Sequence, residues 1–153
     1  MIDWTCTPFS ALSVDDLYAA MRLRQEVFVV EQHCPYLDAD GRDQEALHLL
    51  GKIPALPREL AAYARLFVST SGAPSVIGRV ITHPSVRRHG MGKGLMLEAI
   101  RRLEALAPQA PIALGAQRYL ERFYQGFGFR VVSEPYDEDG IPHVKMQRDV
   151  TPS

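Results

Sequence analysis

Val80-Ile81-Thr82-His83-Pro84-Ser85-Val86-Arg87-Arg88-His89-Gly90-Met91-Gly92-Lys93-Gly94-Leu95 is the stretch from which the rest of the chain can be placed. It opens on three β-branched residues, which suit a strand. A short basic turn follows, and then a glycine-rich helix start. Gly90, Gly92 and Gly94 carry no Cβ, so the backbone there can approach a ligand closely. The first turn of the following helix presents unpaired N–H groups at the positive end of its dipole. Arg87, Arg88, His89 and Lys93 add side-chain charge at the same place. Such a mouth suits an anion, best a pyrophosphate, although a glycine-rich turn between strand and helix also occurs with no ligand.

Spacing separates the common phosphate motifs. In a dinucleotide fingerprint counted from Gly90 and Gly92, the third glycine falls on Leu95. A Walker loop would need glycine where Arg87 stands and Ser or Thr where Gly94 stands. What remains is Arg-x-x-Gly-x-Gly, Arg87 to Gly92, between a strand and a helix. Further on, Leu120-Glu121-Arg122-Phe123-Tyr124-Gln125-Gly126-Phe127-Gly128-Phe129 joins a Phe-Tyr pair to Gly-Phe. A lone tyrosine at such a place is ordinarily an amphipathic core residue, but here two motifs stand in order. Together they resemble the Gcn5-related N-acetyltransferases (GNAT). Leu23-Arg24, Val27-Phe28, Glu31-Gln32, Cys34-Pro35-Tyr36, Leu114-Gly115-Ala116-Gln117 and Glu138-Asp139-Gly140-Ile141-Pro142-His143 resemble the ElaA-type branch of that superfamily.

The bulk numbers agree with a single domain over residues 1–150 and a frayed tail at 151–153. Apolar residues make up 46% and charged residues 23%, ordinary for a soluble globular protein. A formal net charge of -1 argues against a general nucleic-acid binder. No apolar run is long enough to span a bilayer, and the first residues lack a basic-then-apolar signal pattern. Cys6 and Cys34 are too few for a disulfide framework, so free thiols in a reducing cytoplasm are expected.

Residues 2–9 alternate loosely and predict an edge strand. Ser13 is placed as the N-cap of a helix running to Val30 or Glu31, with Leu17, Met21, Arg24 and Phe28 on one face and Ala20 and Val27 beside it. Residues 32–45 are too polar for a core and predict a surface loop, whose carboxylates are either merely solvated or face a cationic substrate. Residues 46–53 and 60–69 predict two paired strands, and residues 75–82 the strand that feeds the basic turn. The helix from Met91 carries Leu95, Ala99, Leu103 and Leu106 on one face. Ile112-Ala113-Leu114 is apolar without alternation, which suits a central parallel strand. A second short helix is expected over residues 117–126, a strand over 129–133, a turn over 134–140 and a last strand over 141–148. The order predicts an α/β mixed sheet with helices on both faces.

The resemblance implies the twisted mixed sheet of the GNAT fold, splayed between strands 4 and 5, with acetyl-CoA in the cleft. By position, Val80, Ile81 and Thr82 would pair with the pantetheine arm. The backbone of Arg88, His89, Gly90, Met91, Gly92 and Lys93, with Arg87 beside it, would hold the pyrophosphate. Gln117 stands where many relatives carry an Asn that touches the cofactor, so an amide is kept. Tyr124 would lie near the thioester sulfur and protonate it as it leaves.

The base is open among His143, Glu138 and His48, and a chain of waters could serve instead. A histidine titrates in the neutral range, although a single histidine in a strand is more often structural. His83 reads as strand-exit geometry. The acidic stretches 38–45 and 134–139 fall, by the resemblance, around the acceptor side, where Glu31, Gln32, Tyr36, Asp40 and His48 are candidates. A primary, cationic amine acceptor is therefore expected, either a small molecule or a protein lysine or N-terminus. No metal, nucleic-acid partner or membrane is implied, and a homodimer is an expectation because relatives often pair. Two other readings stay open: an acyl-homoserine lactone synthase-like enzyme with another acyl donor, and a non-catalytic CoA-binding module.

Overall fold

The structure is a computed structural model and describes residues 1–151. Of the expected tail, Pro152 and Ser153 lie outside the described residues, while the Thr151 hydroxyl reaches Glu104 at 3.3 Å. Eight strands form one mixed sheet: β1 (Asp3–Pro8), β2 (Leu47–Lys52), β3 (Ala62–Phe67), β4 (Ser75–Thr82), β5 (Ile112–Gln117), β6 (Arg130–Val131), β7 (Tyr136–Glu138) and β8 (Ile141–Arg148). Their order is β1-β2-β3-β4-β5-β8-β6, and β7 pairs with β8 beside that path. The β4–β5 pair is the parallel one, as the apolar run at Ile112 predicts.

Alternation along β2 and β3 divides the core between two faces. Leu49, Ala62, Ala64 and Leu66 pack with Leu95, Met96, Ala99 and Leu103 of helix α2 (Met91–Leu106). Leu50, Tyr63 and Ile81 pack with Ala20, Leu23 and Val27 of helix α1 (Val14–Arg24) and its extension. Ser13 caps α1 as expected, its Oγ accepting from Asp16 N at 3.0 Å.

Several expectations are corrected. The first helix does not run regularly to Glu31. It widens to π geometry over Gln25–Glu31, with Gln32 N and Cys34 N each bonded five residues back, at 3.2 and 3.0 Å. Its buried face is Ala20, Leu23, Arg24 and Val27: Arg24 points inward as expected and meets two carboxylates, while Leu17, Met21 and Phe28 are only partly buried. Leu106, at the last turn of α2, is exposed. Gln117 ends β5 instead of opening a helix; a 3-10 turn at Arg118–Leu120 leads into helix α3 (Glu121–Gln125). The strand expected over 129–133 is only Arg130–Val131, and the expected turn over 134–140 contains β7, which forms a hairpin with β8 around Asp139-Gly140. No helix among the described residues is long and apolar enough to cross a membrane.

The feature that makes a site is the parting of β4 from β5. They pair only at Ser75↔Ile112 and Val76↔Ala113, and beyond that point they diverge. On its other side β4 carries a bulge: Tyr63 pairs with Ile81, but Arg65 pairs with Gly78, so Ala64 of β3 alone faces Arg79 and Val80 of β4. Arg79 takes φ +52 there, and neither Arg79 nor Val80 has a register partner on β3.

Candidate active site

The parted strands open a cleft of about 900 Å³. Of the glycine turn, Arg87 lines this cleft, whereas Arg88, His89, Gly90, Met91, Gly92 and Lys93 follow it in the chain and are not among its lining residues. Gly90 caps α2 with φ +74 and no side-chain partner, and Arg88 beside it takes φ +70. Gly94 N returns to Gly90 O at 3.0 Å, so the amides of Met91, Gly92 and Lys93 precede the first helical bond. Arg88, His89, Gly90 and Lys93 are exposed. Arg87 lines the cleft and pairs with Glu31 at 2.8 Å.

Val80, Ile81, Thr82, Gln117 and Tyr124 all line the same cleft. Tyr124 is buried, braced by Phe123 at 5.1 Å and Phe129 at 6.3 Å between ring centroids. Burial pushes its hydroxyl up to about 12, so it stays a proton donor at neutral pH.

His143 and Glu138 come together across the hairpin. Nδ1 of His143 lies 2.7 Å from Ile141 O, and since a carbonyl only accepts, this nitrogen carries the hydrogen. Nε2 is left to face Glu138 Oε2 at 3.3 Å. A proton taken up at Nε2 would be held between ring and carboxylate. Tyr136 stacks on the imidazole at 5.8 Å and 29°. It lies close over β5, where a Cβ on Gly115 would fall 2.9 Å from the Tyr136 hydroxyl.

On the acceptor side, Glu31, Gln32 and Tyr36 line the cleft, but Asp40 and His48 do not. His48 is buried, bonded to the Tyr63 hydroxyl at 2.7 Å and Asp43 O at 2.8 Å. Burial depresses its basicity, which keeps it neutral inside the fold. The three aspartates of the acidic loop, moreover, are not free. Arg24 donates to Asp38 and Asp43, each at 2.7 Å. Arg65 takes Asp40 with both terminal nitrogens at 2.9 Å, and Asp43 at 3.0 Å. Arg79 reaches Asp38 at 2.8 Å. Three arginines thus neutralise three aspartates, and the loop straps α1 to the β4 bulge.

Sequence reasoning did not single out Arg24, Asp38, Arg65, Arg79 or Tyr136 as site-forming. One signal was available for the first of them: an arginine at an apolar-face position of a helix has to meet a carboxylate inside.

The family profile of the acetyltransferase (GNAT) domain matches residues 54–150. Protein ElaA of Escherichia coli K12 is 46% identical over 153 residues, covering 98% of each chain. This chain belongs to the GNAT family. Among solved GNAT-like structures, E. coli ElaA superposes with a TM-score of 0.90 at 45% identity, covering 97% of this chain and all of that one. An acyl-CoA N-acyltransferase from Pseudomonas aeruginosa also gives 0.90, at 40% identity, over 97% of this chain and 99% of that one. An aminoglycoside 6'-N-acetyltransferase solved with coenzyme A gives 0.70 at 12% identity over 97% and 98% of the two chains, a likeness of fold alone. The mixed sheet parted between β4 and β5 is therefore the GNAT fold.

Proposed function

We propose that this protein is an acetyl-CoA-dependent N-acetyltransferase that passes the acetyl group to a primary amine by direct attack in a ternary complex. The observation that carries this reading is a cleft lined by the unpaired edge of β4, by a buried tyrosine and by Arg87, which stands three residues before the uncapped amides that open α2. The chain fits acetyl-CoA in two respects. Gly90 at φ +74 makes an anion cradle, and β4 beyond Val76 has free backbone for an extended arm. The cofactor would supply an activated acetyl thioester.

The chain's residues supply the rest. His143 Nε2 takes the proton from the incoming ammonium, and Glu138 steadies the resulting imidazolium. The unpaired backbone at Arg79–Val80 stands where an N–H could polarise the thioester carbonyl. The Tyr124 hydroxyl donates its proton to the departing sulfur, and the second proton, shed by the attacking nitrogen as the amide forms, restores the hydroxyl by way of solvent. Glu138 and Asp139 leave the hairpin end of the cleft acidic, which favours an acceptor arriving as a cation.

Calorimetry with coenzyme A, followed by thiol release from acetyl-CoA with a panel of amines, tests this. Binding and amine-dependent release are expected. No heat with coenzyme A, or release indifferent to every amine, would overturn the reading.

A further inference from the structure

We infer that the acceptor carries a carboxylate several bonds away from its reacting amine, and that Lys145 receives it, or Arg42 where the acceptor is long enough to reach the far end of the next row. This rests on the acetyl-transfer reading of the cleft and adds the substrate class.

The charge balance of the cleft points this way. Most of its ionisable side chains already have partners: Glu31 has Arg87, Arg65 has Asp40 and Asp43, Arg79 has Asp38, and Glu138 has His143. Lys145 has no ion pair and no side-chain hydrogen bond among the described residues, although it lines the cleft. Arg42 also lines it, lying 4.3 Å over the ring of Phe67. Its nearest carboxylate is Glu45 at 3.7 Å, with both side chains more than half exposed. A pair so long and so wet is worth little. The uncommitted acid is Asp139 at the hairpin tip, whose carbonyl accepts from Cys34. Negative charge thus gathers beside His143, and spare positive charge lies away from it.

Register gives the spacing. Lys145 is two residues from His143 on the same face of β8, about 7 Å along the strand. It pairs with Gly115, as His143 pairs with Gln117. The next row on that face runs Phe67, Val76, Ala113, Gln147 across four strands. Its apolar members suit methylene or peptide carbon, and Arg42 covers its far end. An α-amino acid cannot serve both ends, because its nitrogen and carboxyl carbon are only two bonds apart, roughly 2.5 Å. An ω-amino acid, or a short peptide with free N- and C-termini, is long enough.

Matched acceptors in the thiol-release assay decide this: 5-aminopentanoate against pentylamine, and triglycine against its C-terminal amide. The carboxylate member of at least one pair should have kcat/KM about tenfold higher, the scale of one charge-assisted hydrogen bond. That ratio should fall toward one in Lys145→Ala or, for the longer acceptor, in Arg42→Ala, both exposed positions where folding is not at stake. Preference for 5-aminopentanoate alone marks an ω-amino acid, and for triglycine alone a peptide terminus; either supports the inference. Equal turnover within both pairs, preference for 1,5-diaminopentane, or a ratio unmoved by both variants removes it and leaves acetyl transfer standing. Failure of every amine removes both.

Discussion

Tyr124 illustrates how much a single environment can do. Its ring is packed edge-on against Phe123 and Phe129, and the residue lines the cleft from a buried position that disfavours the phenolate. Tyr124→Phe retains the ring and removes only the hydroxyl. Steady-state kinetics should show kcat lower by about 10²- to 10³-fold, the usual share of a positioned acid. Calorimetry should show coenzyme A affinity unchanged. A mutant as fast as the parent would remove the assigned role. Because burial pushes the hydroxyl to about 12, no loss of rate on this residue's account should appear between pH 7 and pH 9.

Among the elements, the acidic loop between α1 and β2 changes most from its first reading. The Arg65 hydrogen bonds hold the Asp40 carboxyl well below the usual carboxylate range. Burial alone would raise Asp43, but Arg24 and Arg65 together pull it down. For carboxyls depressed in the fold, the unfolded chain binds more protons at low pH. Their stabilisation is therefore complete above about pH 4, the unfolded value, and drains away as pH falls further. His48, depressed by burial, has the same sign from a higher start, so its contribution begins to fall below about pH 6.5. Urea titrations at pH 7.5, 5.5 and 3.5 should show stability falling at each step, with the larger drop at the second. Asp43→Asn should lower the pH 7.5 value by about 3–5 kcal/mol, as expected when one partner of a buried pair is removed. It should also flatten the acid limb.

The same loop shows where sequence reading stops. The β4–turn–α2 unit was legible because all its signals are local: β-branched residues, glycines, then a helical period starting at Met91. The Ser13 cap was legible for the same reason. The arginines that neutralise the loop are 14 to 41 residues distant, so the polarity of residues 38–45 looked like solvation. The strand Tyr136–Glu138 hid behind its acidic composition, since its stability comes from β8 and from the fit of Tyr136 over Gly115. The bulge at Arg79 leaves no periodic trace, and ladder register alone reveals it. Of the site, Tyr124, Gln117, His143 and Glu138 fell in the cleft as expected, while His48 turned out to be an internal strut.

At the scale of the whole molecule, β1–β4 and β5–β8 are two antiparallel half-sheets, each internally well paired. Backbone hydrogen bonding joins them at two rungs only, and α2 spans their common face. That short seam is the backbone ladder that joins the halves, a narrow spine between two covers. A ligand lying along both inner edges would act as a brace between them. Deuterium uptake should then slow on residues 79–82 and 114–117 together when coenzyme A is added, with a rise in melting temperature set by mass action. Protection confined to the α2 mouth would mean that the ligand holds one cover and leaves the other swinging.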